Sequence, residues 1–349
     1  MANQHAIEFA KTKSVTFAAC FDIDGKRAQK FADKHGFAVT AESVEHLLEK
    51  VDAVAIVTPD RFHAAATLQA LQAGKHVLCE KPLTVSLDEA CRVADVALAA
   101  QRHGIIHMIN FSYRASSAFQ RALTLAKTGS LGQIRHVHSS YLQSWLASNT
   151  WGNWTGDGWL WRLSTAAGSG GVLGDIGCHI LDLTTGASED IASLRCMLKT
   201  FPKITEDGQV VTRWKGVDLD ANDTAIIEMQ FAGGGIGICH ASRWATGHAN
   251  SLKVEVHGTE GAVAFDLDHD YHAIDLCLGA AIHSNTWTHE KLKPTPTNYE
   301  RFITAIETGK QDQPDMLRGA QIQSYLDACQ TSAESGAWTT PLAWTTAAA

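Results

Sequence analysis

Charged residues make up only 19% of the 349-residue chain, and the basic ones are outnumbered, 29 Lys and Arg against 37 Asp and Glu. The net charge of −8 argues against nucleic acid or an anionic membrane as a partner. Long apolar runs are missing too. None approaches the ~18 residues of a helical membrane span. The N-terminus lacks a signal-peptide core, so no membrane partner and a cytoplasmic location are expected. Cys20, Cys79, Cys91, Cys178, Cys196, Cys239, Cys277 and Cys329 include no CxxC pair and lie mostly within apolar runs. That pattern excludes a disulfide or zinc framework and suits reduced core thiols. None of the 17 histidines forms an HExxH pair, and no metal site is expected. Also absent is a GxGxxG turn ahead of the first helix.

What is present is 45% hydrophobic residues over a length that exceeds one ordinary core, so two domains are expected. In the first part, apolar runs at 15–21, 37–40, 51–57, 76–79 and 105–109 alternate with helical patterns at 2–12, 25–35, 41–50, 61–73 and 86–102. This order specifies a doubly wound parallel sheet. His76-Val-Leu-Cys-Glu-Lys-Pro82 is the run around which the rest is organised, because Glu80 and Lys81 fall at the carboxyl edge of a buried strand, where such sheets bind ligands. A solvated lysine opening a loop is the competing reading. Asp22 ends the strand at 15–21, the place of a ribose-binding acid; a turn aspartate is the alternative.

Beyond residue 131 the texture changes. Trp145, Trp151, Trp154, Trp159 and Trp161 crowd together, as a wall for the C–H face of a sugar or as a buried interface. The stretch 168–182 opens with glycines and becomes a helix whose 3.6-residue period places Asp175, His179 and Asp182 on one stripe. An Asp and a His four residues apart can share a proton-handling site. They also form a metal-ligand pair, but without a third ligand at suggestive spacing. Alternation at 224–231 and 252–256 predicts antiparallel sheet with one buried face, turned by Gly233–Gly235 and Gly258–Gly261. Helices at 297–309 and 316–335 follow, and the last residues are expected to be loosely held.

Taken as a set, Thr58-Pro-Asp-Arg-Phe-His63, Glu80-Lys-Pro82, Asn110-Phe-Ser-Tyr-Arg114, Trp161-Arg162 and Gly170-Gly-Val-Leu-Gly-Asp-Ile-Gly-Cys-His179 resemble the glucose-fructose oxidoreductase / inositol dehydrogenase (Gfo/Idh/MocA) family. The resemblance implies an α/β fold: an N-terminal Rossmann-type doubly wound parallel sheet, here without its first strand, and a C-terminal α+β domain with an open, mostly antiparallel sheet. It divides the chain into 1–112 for NAD, 113–340 for substrate and oligomerisation, and a tail at 341–349. By position it makes Lys81, Asp175 and His179 catalytic. Asp22, Thr58, Pro59, His63, Glu80, Lys81, Asn110, Trp161 and Arg162 line the cofactor. Lys81, Tyr113, Arg114, Trp145, Asp175 and His179 meet the substrate.

The function so implied is an NAD-dependent oxidoreductase moving hydride between nicotinamide and a secondary alcohol of a sugar, sugar derivative or cyclitol. NADP is disfavoured because Asp22 would repel a 2′-phosphate. His179 would take the hydroxyl proton near neutral pH, and Lys81 would stabilise the developing alkoxide. Asp175 would orient His179 or the substrate and balance the lysine's charge. The rivals are an NAD-dependent glycosidase that oxidises its substrate transiently and a non-catalytic sugar or nucleotide sensor. A homodimer or homotetramer through the C-terminal sheet is expected. So is a strand with a glycine-rich turn ahead of Met1, since Asp22 lies 20 residues after Ala2, which makes this an N-terminally truncated version of a longer chain.

Overall fold

A computed structural model describes residues 1–149 and 152–344. Expectations for Trp151 and for 345–349 lie outside the described residues. The alternating pattern yields parallel ladders: β1 (Ala19–Cys20) with β2 (Val39–Thr40), and β3 (Ala53–Ile56) with β4 (His76–Cys79) and β5 (His107–Ile109). Helices α1 (Ala2–Phe9), α2 (Gly25–His35), α3 (Val44–Lys50), α4 (His63–Gln72) and α5 (Leu87–Gln101) connect and cover them. Local signals set their ends. The Asp24 carboxylate accepts the N–H groups of Lys26 and Arg27 at the start of α2, and Ser86 accepts that of Glu89 at the start of α5. Val77, Leu78 and Cys79 are wholly buried, which is why this strand reads as unbroken apolar sequence.

The strand expected at 15–21 is shorter in its ladder. Among the described residues β1 pairs only with β2, no ladder joins it to β3, and the parallel sheet is in two pieces. Val15 and Phe17 instead pack beside Phe9, Leu78 and Ile106.

The second sheet has eight strands. They are β6 (Ile134–Leu142), β7 (Ile191–Lys199), β8 (Thr224–Phe231), β9 (Ile236–Ser242), β10 (Ser251–Gly258), β11 (Gly261–Asp266), β12 (Ala273–Leu278) and β13 (Thr288–Lys291). Their order is β13-β12-β11-β10-β6-β9-β8-β7, antiparallel throughout except for the β6–β9 pair. Alternation sorts β8 as predicted: Ala225, Ile227, Met229 and Phe231 are buried, while Ile226, Glu228 and Gln230 face out. Helices α6 (Ser117–Lys127) and α7 (Cys178–Ala187) cover the inner face, and the outer face leaves Met197, Ile226, Ile236 and Ile238 exposed.

The last helices return to the first sheet. α8 (Asn298–Thr308) packs Tyr299 and Phe302 against Phe9, Leu78 and Met108. α9 (Met316–Ser335) lies against both α5 and β7. Gly319 permits its close approach, since a Cβ there would stand 3.0 Å from both Ile109 and Leu83 side chains. One apolar core therefore runs across the 112/113 boundary. Trp344 packs on it as well, so the described part of the tail is held and not loose.

Candidate active site

Lys81 leaves β4 at its carboxyl edge and reaches across to the second half of the chain. Its Nζ donates to the backbone oxygen of Asp175 at 2.8 Å and to Asp175 Oδ1 at 3.0 Å. Asp175 sits in a π-helical turn, Leu173–Gly177, that leads into α7. The other carboxylate oxygen accepts Arg243 Nη2 at 2.9 Å. That arginine, just past β9, is wholly buried, and it also donates to the carbonyls of Gly171 and Arg162. Burial alone would raise the Asp175 pKa, but Lys81, Arg243 and Arg162 overcome it and hold the carboxyl far below its ordinary range. Burial likewise opposes charge on Lys81, and Asp175 outweighs it and pushes the ammonium's pKa up.

His179, at the start of α7, lies in an aromatic box. Its ring centroid is 5.9 Å from Phe111, 4.9 Å from Tyr113 and 6.4 Å from Tyr141. Burial and the neighbouring Lys81 charge lower its pKa to about 3. This corrects the near-neutral base expected from sequence: the imidazole is uncharged at physiological pH. Nδ1 is sealed off without a hydrogen-bond partner, which leaves Nε2 toward the cavity. Asp175 does not hydrogen-bond His179; its Oδ1 faces Lys81 and its Oδ2 faces Arg243. Nor does Asp182 join this group. Asp182, three residues further along the same regular helix as His179, turns into a buried cluster with Arg114 and Arg318 at 2.7 Å each.

These side chains open on a cavity of about 260 Å³. Lys81, Asp175 and His179 line it together with the hydrogen-bonded set Tyr113, Tyr141, Gln143 and Asn250 and with Trp145, Trp159 and Arg162. Trp145 and Trp159 stand with ring centroids 5.4 Å apart, tilted by 38°. Arg162 lies over the Trp159 and Trp161 rings. Trp145 and Trp154 are both buried in a small core with Leu163 and Leu219, on which Trp159 packs, and Trp161 is partly exposed.

Beneath Lys81, Glu80 accepts His5 Nε2 at 2.6 Å and Asn110 Nδ2 at 2.8 Å, and Asn110 also donates to the Tyr299 hydroxyl. Burial would raise the Glu80 pKa; hydrogen bonding and charge from His5 lower it to about 2. His63 is buried, with Nδ1 2.7 Å from the Pro82 carbonyl and Nε2 2.9 Å from that of Thr58. Two carbonyl acceptors require two N–H groups. Against the cost of burial, Cys79, Pro82 and Asp60 hold this ring as a cation with a pKa of about 10. It ties the loop after β3, Thr58 and Pro59 included, to the loop after β4. Arg114, expected at the substrate, is spent on Asp182 because its guanidinium is almost fully buried there.

Asp22 ends β1 as expected. Its Oδ1 accepts the Asp24 N–H, and its carboxylate stays partly exposed at 3.8 Å from Arg27. It does not line the cavity, nor do Thr58, Pro59 and Trp161. A dinucleotide's ribose suits Asp22, and its nicotinamide end suits the cavity beside Lys81. Among the described residues no glycine-rich turn ahead of α1 offers N–H groups for a pyrophosphate. Nor does any group of three or more His, Cys, Asp or Glu side chains there suit a metal ion.

Trp159 belongs to the tryptophan cluster marked in the sequence, whereas Arg243, Tyr141, Gln143 and Asn250 carry no such mark. One signal was available: Tyr141, Gln143 and Trp145 alternate along and just past β6, which puts all three on one face.

Residues 1–111 match the oxidoreductase family with an NAD-binding Rossmann fold, and residues 119–264 match the GFO/IDH/MocA C-terminal domain. Levoglucosan dehydrogenase of Pseudarthrobacter phenanthrenivorans is 28% identical over 252 residues, covering 69% of this chain and 62% of that protein. This chain thus matches under two thirds of that relative's length. D-xylose 1-dehydrogenase (NADP(+)) 2 of Haloferax volcanii is 29% identical over 341 residues, 92% of this chain and 90% of its own. The crystal structure of an oxidoreductase domain protein from Kribbella flavida superposes with a TM-score of 0.82 at 29% identity, over 97% of this chain and 95% of that one.

Proposed function

Because the chain belongs to the Gfo/Idh/MocA oxidoreductase family, we propose that it is an NAD-dependent dehydrogenase oxidising a secondary alcohol of a sugar, sugar derivative or cyclitol. The observation that carries this reading is the convergence of Lys81 and His179 on one cavity, with the ammonium pinned by Asp175. NAD would rest with its ribose at Asp22 and its nicotinamide end near Lys81, Asn110 and Arg162, and it would supply the hydride acceptor. Asp22 favours NAD over NADP by repelling a 2′-phosphate.

The chain's own residues handle the proton. His179 Nε2 accepts a hydrogen bond from the substrate hydroxyl, and Lys81 donates its third N–H to the same oxygen. As negative charge grows on that oxygen, the ammonium stabilises it in a site with little water. The proton passes from the substrate hydroxyl to His179 Nε2 and from there to water at the cavity mouth once the ketone leaves, since an imidazole beside Lys81 is hard to keep charged. Asp175 holds the lysine in place and balances its charge.

The test is a panel of sugars, anhydrosugars and inositols assayed for NAD reduction at ~340 nm. Net NADH production supports the dehydrogenase; turnover of a glycoside without it would move the reading to a glycosidase. The same reading includes a homodimer or homotetramer through the outer face of the eight-stranded sheet, supported by exposed Met197, Ile226, Ile236 and Ile238. Light scattering on the purified protein checks it, and a monomer would remove it. Eight free thiols support a cytoplasmic location.

A further inference from the structure

Asp175 lies between two cations, and only one of them reaches the cavity. Lys81 Nζ holds its Oδ1 and its backbone oxygen, while Arg243 Nη2 holds Oδ2 at 2.9 Å. Arg243 is wholly buried and is not part of the cavity lining. Its guanidinium carbon lies 5.1 Å from the ring centroid of Trp145, which is. Nη2 also donates to the Gly171 carbonyl at 3.0 Å, and Nη1 donates to that of Arg162 at 3.2 Å. The rigid fork of a guanidinium serves all three acceptors from one centre. Arg162 and Gly171 bracket the segment that leads from the tryptophan cluster to the π turn, Leu173–Gly177, on which Asp175 sits.

The charges in this group do not cancel. One carboxylate between two cations leaves an excess of positive charge, and the share on Arg243 is out of reach of water and salt. The backbone N–H of Arg243 donates to the Asp223 carbonyl, and the Asp223 side chain is paired with Lys203 at 2.7 Å in a wholly buried unit that is neutral as a whole. That pair leaves the excess in place. With Lys81 as its one partner, Asp175 would cancel the ammonium's charge at 3.0 Å, and an oxygen gaining negative charge would meet a neutral ion pair. With Arg243 on the second oxygen, Asp175 is itself balanced, and the ammonium keeps its field toward the cavity.

Resting on the dehydrogenase reading, we propose that Arg243 is a positioning residue for hydride transfer. It neutralises Asp175 from outside the cavity, which keeps Lys81 electropositive toward the reacting oxygen, and its grip on the Arg162 and Gly171 carbonyls anchors the turn that carries Asp175.

The test compares Arg243→Met, which keeps length and apolar bulk without the charge, with Arg243→Lys, which keeps the charge without the fork. Arg243→Met is expected to lower kcat by about tenfold or more, because the charge is felt only as the oxygen becomes anionic. KM for the sugar should stay within roughly threefold, since the ground-state hydroxyl is neutral. Arg243→Lys should recover part of the lost kcat. A second readout needs no turnover: nitrogen-detected NMR of His179 should show its pKa higher in Arg243→Met than in Arg243→Lys by about half a unit or more, since one nearby cation is gone. If Arg243→Met does not fold, Arg243→Gln, which keeps a donor but no charge, replaces it in both measurements. Equal kcat in the charged and uncharged variants, a change confined to KM, or identical His179 titrations in the two overturns the proposal. Failure of every sugar, anhydrosugar and inositol to reduce NAD with the unmodified protein would remove the dehydrogenase reading, and the His179 titrations would still decide whether Arg243 sets the charge of the site.

Discussion

Burial and the Lys81 charge together lower the His179 pKa, and the part due to Lys81 can be measured by removing that one residue. Lys81→Met and His179→Ala are each expected to lower kcat by roughly 10²–10⁴-fold in folded protein, the range for losing a charge partner or a general base. Lys81→Met should also raise the His179 pKa, because it removes the ammonium that opposes the imidazolium. Nitrogen-detected NMR of the imidazole reads this without any substrate, and an unmoved titration would contradict the coupling. The pH profile has a definite sign. His179 titrates at about 3, below its ordinary 6.5, and Lys81 above its ordinary 10.5. The neutral imidazole and the ammonium therefore coexist throughout the physiological range, and kcat/KM should show no limb near pH 6.5. An inflection there that disappears in His179→Ala would show that the ring is better hydrated than its aromatic box implies.

At the scale of elements, the packing of α6 on α7 rests on Gly186. A Cβ there would lie 2.7 Å from Phe119 Cζ, and that ring is wholly buried. Alanine ordinarily improves a helix by about 1 kcal/mol over glycine. Overpacking a filled core costs ~1–3 kcal/mol. The second effect is expected to win, so Gly186→Ala should destabilise the protein in urea by about 1 kcal/mol; a gain in stability would show that Phe119 can move aside. β8 and β10 were legible in the sequence because each buries one face and alternates with a period of two, and α9 because Asp315 and Gly336 mark its ends. Lys81 and His179 were legible because the strand and helix that carry them have recognisable flanks. Asp182 was misplaced because the arginines that claim its carboxylate lie 68 and 136 residues away in the chain, which helix periodicity does not reveal. Arg243 resembles any arginine after a strand, and only tertiary contact with Asp175 shows that it is buried. The polar wall was hidden for a related reason: Asn250 meets Tyr113 across 137 residues of chain.

For the molecule as a whole, acid should act through Glu80. Its carboxyl is held near 2, against an ordinary value of 4.5, by His5 and Asn110. A depressed folded-state pKa stabilises above the unfolded value and is lost as pH falls through the folded one. The contribution is about 3 kcal/mol from a shift of roughly two pH units. It should be intact above pH 5 and vanish between there and pH 2. Urea midpoints recorded from pH 6 to 2.5 check this, and Glu80→Gln should flatten the curve. A parent curve as flat as the variant's would remove Glu80 from the acid response.

The return of α9 to the first sheet carries a consequence for the newly made chain. Ile109 and Leu83 find their cover only when Gly319 arrives, so the nucleotide-binding half waits on the ribosome with an open core for more than two hundred further codons. Completion of the two halves is thus coupled, because the core of the first sheet is covered only once the segment Met316–Ser335 has packed on it.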